Sequence, residues 1–157
     1  MKLIQALPDI PNKVTDKEVS DFLERKLNLQ LATIDEDGYP LIQPLWFLFD
    51  NEAGKIYVAT QKMTRKAHNM YENPKKIYFS IDDENFPYKG VKGRAVIRIS
   101  EDIDWNIPIV EKLNMKYLGT TNHPLGQMIM ENTKKGIQIV IEITPKFYSA
   151  WDFGKIM

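Results

Sequence analysis

The 157-residue sequence contains no cysteine, and this absence excludes several kinds of chemistry. Disulfide bonds, thiolate metal sites and a cysteine nucleophile all need a residue that the chain does not have. A chain without disulfides is compatible with a reducing compartment. We therefore expect a cytoplasmic protein whose function does not depend on thiol chemistry.

The chain also lacks an excess of either charge and any long apolar run. Twenty-one basic residues balance twenty-one acidic ones, so no global field favours nucleic acid or an anionic membrane. No stretch approaches the roughly 20 apolar residues that a membrane span needs. The N-terminal apolar run is too short for a signal peptide, and Pro8 and Pro11 interrupt it. We therefore expect neither nucleic acid nor a membrane as a partner.

Residues with catalytic or metal-binding potential are few. There are two histidines, and no set of side chains has the spacing of a zinc site. No serine has partners that would form a nucleophilic triad. The acidic run Asp82-Asp83-Glu84 is typical of a solvated loop. The sequence therefore names no catalytic residue and predicts no metal site, a pattern that fits a protein whose cofactor carries the chemistry.

Alternating apolar and polar positions predict a mainly β protein with peripheral helices. Strands are predicted over residues 29–35, 41–50, 56–60, 76–82, 91–100 and 137–143. Helices are predicted over residues 15–27, 64–73, 104–118 and 125–132. Because helices do not regularly separate the strands, a small β-barrel is favoured over a doubly wound parallel sheet. We expect one domain over residues 1–157, in which residues 1–14 form an extended N-terminal arm.

The predicted strand over residues 41–50 has two unusual features. It is apolar at nearly every position, which predicts burial on both faces. Gln43 and Pro44 interrupt it, and a proline inside a strand indicates an edge, a bulge or an end of ladder bonding. Unpaired backbone groups beside such a break can serve a ligand, although a simple bulge is an equally good interpretation.

The segment from Lys55 to Pro74 leads from a strand into a helix whose start is unusual. Thr64 is a good N-cap residue. Arg65 and Lys66 then occupy the first turn, where a cation opposes the helix dipole by roughly 0.3–1 kcal/mol. Ala67 stands where a capping box would have Glu or Gln. A bound phosphate would satisfy the free N–H groups and both cations, whereas the alternative interpretation is a solvated basic turn.

The order Thr60, then Thr64-Arg65-Lys66 opening a helix, resembles the phosphate-binding segment of the pyridoxamine 5'-phosphate oxidase-like family of FMN-binding split β-barrels. Other motifs of that family recur in the same order along the chain, and the resemblance covers roughly residues 17–153. These motifs are Pro44-Leu45-Trp46-Phe47, Gly93-Arg94-Ala95 and Ile143-Thr144-Pro145. No single motif is specific, but their order and spacing together are characteristic of the superfamily.

The resemblance implies a split β-barrel that binds FMN and transfers hydride to or from an unidentified small molecule. It implies that two groups of residues bind the cofactor. Thr60, Thr64, Arg65 and Lys66 would hold the phosphate end, and Gln43, Pro44, Leu45 and Trp46 would lie along the flavin ring. Ala59, next to Thr60, would also contact the cofactor. It also implies a homodimer with flavin sites at the interface, where Trp151 of the partner subunit would flank the ring. Ordinary core or dimer packing is the alternative role for Trp46 and Trp151.

Two departures from the family pattern bear on activity. Pyridoxamine phosphate oxidases carry basic residues on the strand that reads Ile42 to Phe47 here, and this strand is uncharged. They also end in an Arg-x-His element, whereas this chain ends Trp151-Asp152-Phe153-Gly154-Lys155. Vitamin B6 oxidation is therefore disfavoured. The same fold implies two alternatives, namely a reductase that uses an 8-hydroxy-5-deazaflavin coenzyme and a module that binds flavin or haem without turnover.

Overall fold

The computed structural model describes residues Met1–Met157 and is built on one curled, nine-stranded sheet. The strands are β1 (Leu3–Gln5), β2 (Leu29–Ile34), β3 (Pro40–Leu45), β4 (Leu48–Asp50), β5 (Lys55–Gln61), β6 (Ile77–Asp83), β7 (Lys89–Ser100), β8 (Gln138–Pro145) and β9 (Tyr148–Asp152). The helices are α1 (Asp16–Leu23), α2 (Arg65–Glu72), α3 (Ile103–Leu118) and α4 (Pro124–Lys134), followed by a short 3-10 helix (Phe153–Ile156). The predicted class, mainly β with peripheral helices, is confirmed.

The sheet closes into a barrel through a single segment of chain. The strands follow the order β3-β2-β6-β7-β8-β5-β4, and the two outermost strands are consecutive in sequence. Only Trp46 and Phe47 separate them. β3 therefore pairs with β2 on one side of this corner, and β4 pairs with β5 on the other. All pairings in the barrel are antiparallel, as expected for hairpin-linked strands.

The prediction of one strand over residues 41–50, buried on both faces, is wrong. The chain bends at Trp46 and Phe47, and β3 alternates exposed and half-buried positions. Ile42, for example, keeps 63% of its surface exposed. The physical reason is that β3 pairs only with β2, so it is an edge strand of this chain. The position of Pro44 in β3 agrees with the expectation that proline marks an edge.

The barrel interior forms one large apolar cluster of 22 buried residues. Phe47 and Phe79 are its largest fully buried side chains. A smaller cluster forms outside the barrel, where Tyr57 and Val140 of β5 and β8 meet Val110 of α3. The α3–α4 pair thus covers the outer face of the sheet beside the β3–β4 corner. None of the helices combines the length and the apolar character that crossing a bilayer requires.

Only Leu3–Gln5 of the predicted extended N-terminal arm forms a strand, and bends and turns follow it over residues 6–12. β1 pairs in parallel with β9 over Leu3–Gln5. The Gln5 amide then fixes the rest of the arm, because it donates to the Val14 carbonyl at 2.8 Å and accepts from the Val14 N–H at 2.9 Å. The arm is therefore tied to the body of the protein at both ends.

Gly93 lies where the strand pairing of β7 changes partner from β8 to β9. A Cβ atom at this position would lie 2.1 Å from the carbonyl oxygen of Phe147, in the turn between β8 and β9. Such a distance is impossible for any residue with a side chain, so the close approach requires glycine.

Candidate functional site

The junction between β5 and α2 has the local structure that the sequence predicts. Thr64 is the N-cap of α2, and its hydroxyl accepts from the Ala67 N–H at 3.3 Å and donates to the Gln61 carbonyl at 2.9 Å. Thr60, near the end of β5, is 5% exposed. The first turn of α2 contains no acidic residue. The positive end of this helix therefore has no anion within its own first turn.

Arg65 and Lys66 lie in this first turn and form no ion pair with any carboxylate of the chain. Arg65 is exposed, whereas Lys66 is half-buried. Burial lowers the pKa of the Lys66 ammonium from its ordinary value, because desolvation disfavours the charged form. Two cations thus follow one another in the first turn of a helix whose first N–H groups are free, an arrangement suited to an anion, and of the two only Arg65 lines the adjoining cleft.

An open cleft of about 280 Å³ lies beside the start of α2. Thr64, Arg65 and His68 line it on the α2 side, together with Asn69, and Glu36 from the turn between β2 and β3 lines the opposite side. The Glu36 carboxylate lies 4.0 Å from Nε2 of His68, and both side chains are mostly exposed. The cleft can admit a phosphate group. Glu36 is the one carboxylate on its wall, and its negative charge would repel the phosphate.

The β3–β4 corner is held by two residues of α3. The Tyr117 ring stacks on Trp46 at 4.8 Å between centroids and 6° between planes. Its hydroxyl donates to the Leu27 carbonyl at 2.5 Å and accepts from the Phe47 N–H at 3.1 Å. The Lys116 ammonium donates to the Phe47 carbonyl at 2.9 Å. The backbone at the bend is therefore satisfied by side chains rather than by a strand partner.

The environment of this corner changes the pKa of both residues. Burial lowers the pKa of Lys116 to about 8 and raises the pKa of Tyr117 to about 12, since each shift favours the neutral form. Neither residue was predicted from the sequence to belong to a site. The spacing of Tyr117 on α3 is typical of a buried helix face but does not indicate its role at the corner, and no local pattern points to Lys116.

Four of the predicted site residues line one cavity of about 390 Å³, namely Pro44, Leu45, Trp46 and Ala59. The cavity lies between this wall and the α3–α4 pair, with Gln138 of β8 beside Ala59. Ala59 and Thr60 are consecutive in β5, so their side chains point to opposite faces of the strand. The end of β5 therefore contributes to the cavity with Ala59 and to the β5–α2 junction with Thr60.

The remaining predicted residues stand apart from this cavity. Gln43 pairs with Leu31 in the ladder between β3 and β2 and is not on the cavity wall. Trp151 of β9 lines a separate cavity of about 260 Å³ that includes Arg25. Its ring lies against Gly90, where a Cβ would approach it to 2.4 Å. Within one subunit Trp151 does not join the site, and its role across a dimer interface stays a prediction.

The two histidines and the acidic side chains form no metal centre. No group of three or more His, Asp or Glu residues lies together in a way that could hold an ion. His123 is the N-cap of α4, where its Nδ1 accepts from the Leu125 N–H at 3.1 Å. This capping role accounts for His123 without a ligand.

Solved structures with the same fold cover most of the chain. The conserved hypothetical protein Rv2991 from Mycobacterium tuberculosis is 22% identical, with a TM-score of 0.79 over 97% of this chain and 91% of that one. An F420 reductase is 25% identical, with a TM-score of 0.68 over 86% and 98%. The heme storage protein HutZ from Vibrio cholerae is 17% identical, with a TM-score of 0.66 over 87% and 93%. A comparison with curated protein sequences finds no significant match.

The profile of one protein family, described as pyridoxamine 5'-phosphate oxidase, matches residues 15–151. This range runs from the cap of α1 to β9 and includes the β5–α2 junction, the β3–β4 corner and the wall of the larger cavity. The fold confirms the split barrel that the motifs predicted. The chain therefore belongs to the pyridoxamine 5'-phosphate oxidase-like family.

Proposed function

We propose that this protein binds FMN and uses it to transfer hydride to or from a small molecule. The observation that carries this proposal is the start of α2, where Arg65 and Lys66 have no carboxylate partner and the first helical turn has no acidic residue. A phosphate monoester supplies the missing anion, and charge-assisted hydrogen bonds to it are about twice as strong as neutral ones.

The residues present fit the two ends of such a cofactor. Arg65, Lys66 and Thr64 would hold the phosphate, and the apolar wall that includes Trp46 and Ala59 would adjoin the ring. FMN, when bound, supplies the hydride-transfer chemistry itself. The chain binds and orients the cofactor, and its apolar wall excludes water from one side of the ring.

Oxidation of a vitamin B6 phosphate is not part of the proposal. Such a substrate carries a second phosphate, which would need its own cations. β3 contains no charged residue, and no charged side chain lines the cavity of about 390 Å³. A substrate phosphate placed there would be desolvated without a counter-charge, which is strongly unfavourable.

We further propose that the protein is a homodimer with a cofactor site at each end of the interface. The support is an exposed apolar row across the outer face of the sheet. Ile42 of β3 and Tyr78 of β6 both lie opposite Ala32 of β2, and they are 63% and 39% exposed. An edge strand with such a face favours burial against a second copy. Light scattering after size exclusion measures the mass directly.

A second candidate function is reduction with a deazaflavin coenzyme, and the 25% identity to an F420 reductase favours it. That coenzyme also carries phosphate, so the start of α2 serves both proposals. A third candidate, cofactor storage without turnover, rests on the likeness of fold to the heme storage protein HutZ.

The three candidates are separated by titrating the purified protein with FMN, the deazaflavin coenzyme and haemin in parallel. We expect FMN to bind in one copy per subunit, with a shift in its visible absorption spectrum. Tighter binding of the deazaflavin coenzyme or of haemin would overturn the choice of FMN. If FMN binds but nicotinamide donors never reduce it, the protein is a carrier rather than an oxidoreductase.

A further inference from the structure

The cavity of about 390 Å³ beside the β3–β4 corner is lined without a single charged side chain. On the side of the α3–α4 pair, its wall is mostly apolar and consists of Val110, Leu113, Leu125 and Ile129 together with Asn114. A charged molecule that entered this cavity would lose its hydration and meet no opposite charge. The wall therefore selects for a neutral and largely apolar occupant.

The polar groups of this wall are three neutral carboxamides. They belong to Asn28, Asn114 and Gln138. A carboxamide offers both donors and acceptors and carries no charge. The cavity can therefore form hydrogen bonds with an uncharged ligand while still disfavouring carboxylates, sulfonates and phosphates.

Asn114 has a specific unmet hydrogen-bonding capacity. It is 3% exposed, and its Nδ2 donates to the Gly126 carbonyl at 3.0 Å. This hydrogen bond joins α3 to α4. Its Oδ1 is buried and has no donor in the protein. Because the protein itself covers Oδ1, a ligand in the cavity does not reach this atom, and hydrogen bonds to a ligand are left to the carboxamides of Asn28 and Gln138.

We propose that this cavity is the substrate subsite and that it takes a neutral, largely apolar small molecule whose few polar groups meet the carboxamides of Asn28 and Gln138. The inference rests on the proposed function, because the wall with Ala59 and Trp46 is the side on which FMN would lie. The α3–α4 wall then faces the substrate. Leu125 and Ile129, one turn apart on α4, set the size of the molecule that enters.

The probe for this subsite is N-phenyl-1-naphthylamine, a neutral aromatic amine with one N–H whose fluorescence rises in apolar surroundings. Its comparison compound is 8-anilinonaphthalene-1-sulfonate, which differs by one sulfonate. Both are titrated into protein loaded with FMN. We expect one amine per subunit, bound more tightly than the sulfonate by about tenfold or more, because the wall provides no cation.

Two matched variants locate the binding. Leu125→Trp fills the cavity from its rim, at a residue that is 40% exposed and tolerates a larger side chain. Met128→Trp makes the same kind of change on α4 at a residue that is 51% exposed and does not line the cavity. We expect Leu125→Trp to weaken amine binding by about tenfold or more, and Met128→Trp to leave it within about twofold of the wild type.

The results distinguish failure of this inference from failure of the proposed function. Retention of FMN is measured separately by absorbance. If FMN is retained but the amine does not bind, binds no better than the sulfonate, or responds equally to both tryptophan variants, the subsite proposal is wrong and FMN binding stands. If the amine displaces FMN, the cavity holds the cofactor ring instead. If the wild-type protein retains no FMN, both proposals fall.

Discussion

The hydroxyl group of Tyr117 joins two distant parts of the barrel by donating to the Leu27 carbonyl and accepting from the Phe47 N–H. Leu27 precedes β2, and Phe47 is the second residue of the β3–β4 corner. Tyr117 lies 70 residues from Phe47 and 90 from Leu27 along the chain. One phenol oxygen therefore fixes the place at which the barrel closes and the wall of the cavity begins.

We predict that Tyr117→Phe destabilises the protein by about 1–3 kcal/mol, because it leaves the buried Phe47 N–H without a partner. The control is Tyr39→Phe, which removes a hydroxyl from a residue that is 70% exposed in the turn between β2 and β3. Chemical denaturation measures the free energy of unfolding of both variants. Equal stability of Tyr117→Phe and Tyr39→Phe would show that the hydroxyl does not hold the corner.

A second prediction concerns Lys116, whose pKa burial lowers from the ordinary 10.5 to about 8. Between these two values the unfolded chain binds more protons at this residue than the folded protein does. The free energy of unfolding therefore rises with pH through this window, and the cost of charging Lys116 in the folded state is fully present only below about pH 8.

Lys116→Met isolates this contribution, because the methionine cannot titrate. Denaturation of the wild type and of Lys116→Met is compared at several pH values from 8 to 10. We expect the stability of the wild type relative to the variant to increase along this series. Tyr117 and all other groups titrate in both proteins and largely cancel in the difference. A difference that stays flat, or that falls as the pH rises, would contradict the lowered pKa.

The local features of the site could be predicted from the sequence, because residues close in the chain determine them. Thr64 caps α2 through the N–H of Ala67, three residues away, and Thr15 and Glu18 form a capping box at the start of α1. Such contacts depend on residue type and spacing alone. Arg65 and Lys66, which lie in a first helical turn without an acidic residue, could be predicted from the sequence for the same reason.

Features that depend on distant contacts could not be predicted in the same way. An apolar run such as residues 41–50 fits a strand buried on both faces, and it equally fits an edge strand that bends at Trp46 and Phe47. Only the pairing with β2 on one side and β5 on the other decides between them. The roles of Lys116 and Tyr117 depend on the same corner, so they became visible only with the fold.

The third prediction tests the phosphate site. Replacing both Arg65 and Lys66 with alanine should weaken FMN binding by more than about tenfold. The double variant lacks the charge-assisted hydrogen bonds that the two cations would make to the phosphate. The control is the double replacement of Lys75 and Lys76 with alanine. Both residues are exposed and follow α2 at its other end, so the net charge changes equally.

Fluorescence quenching of FMN on binding gives the dissociation constants at low and high salt. We expect the wild type to lose affinity as salt rises, because screening weakens the attraction between the exposed Arg65 and the phosphate. The affinity of the Arg65 and Lys66 double variant for FMN should fall much less as the salt concentration rises. Similar affinities for the two double variants would remove the β5–α2 junction from the binding site.

The fourth prediction concerns Glu36, the carboxylate on the wall of the phosphate cleft. Glu36→Gln removes a negative charge from the side opposite Arg65 while keeping the size of the side chain. In water-exposed surroundings two like charges several ångströms apart repel by somewhat less than about 1 kcal/mol. We therefore expect FMN to bind about threefold more tightly to this variant.

Asp37→Asn is the matched control for Glu36→Gln, because Asp37 is exposed in the same turn, changes charge by the same amount and does not line the cleft. We expect it to change the FMN dissociation constant less than Glu36→Gln does. Equal gains from both variants would mean that only net charge acts on the cofactor. A loss of affinity in Glu36→Gln would instead indicate that Glu36 helps binding by orienting His68, its neighbour at 4.0 Å.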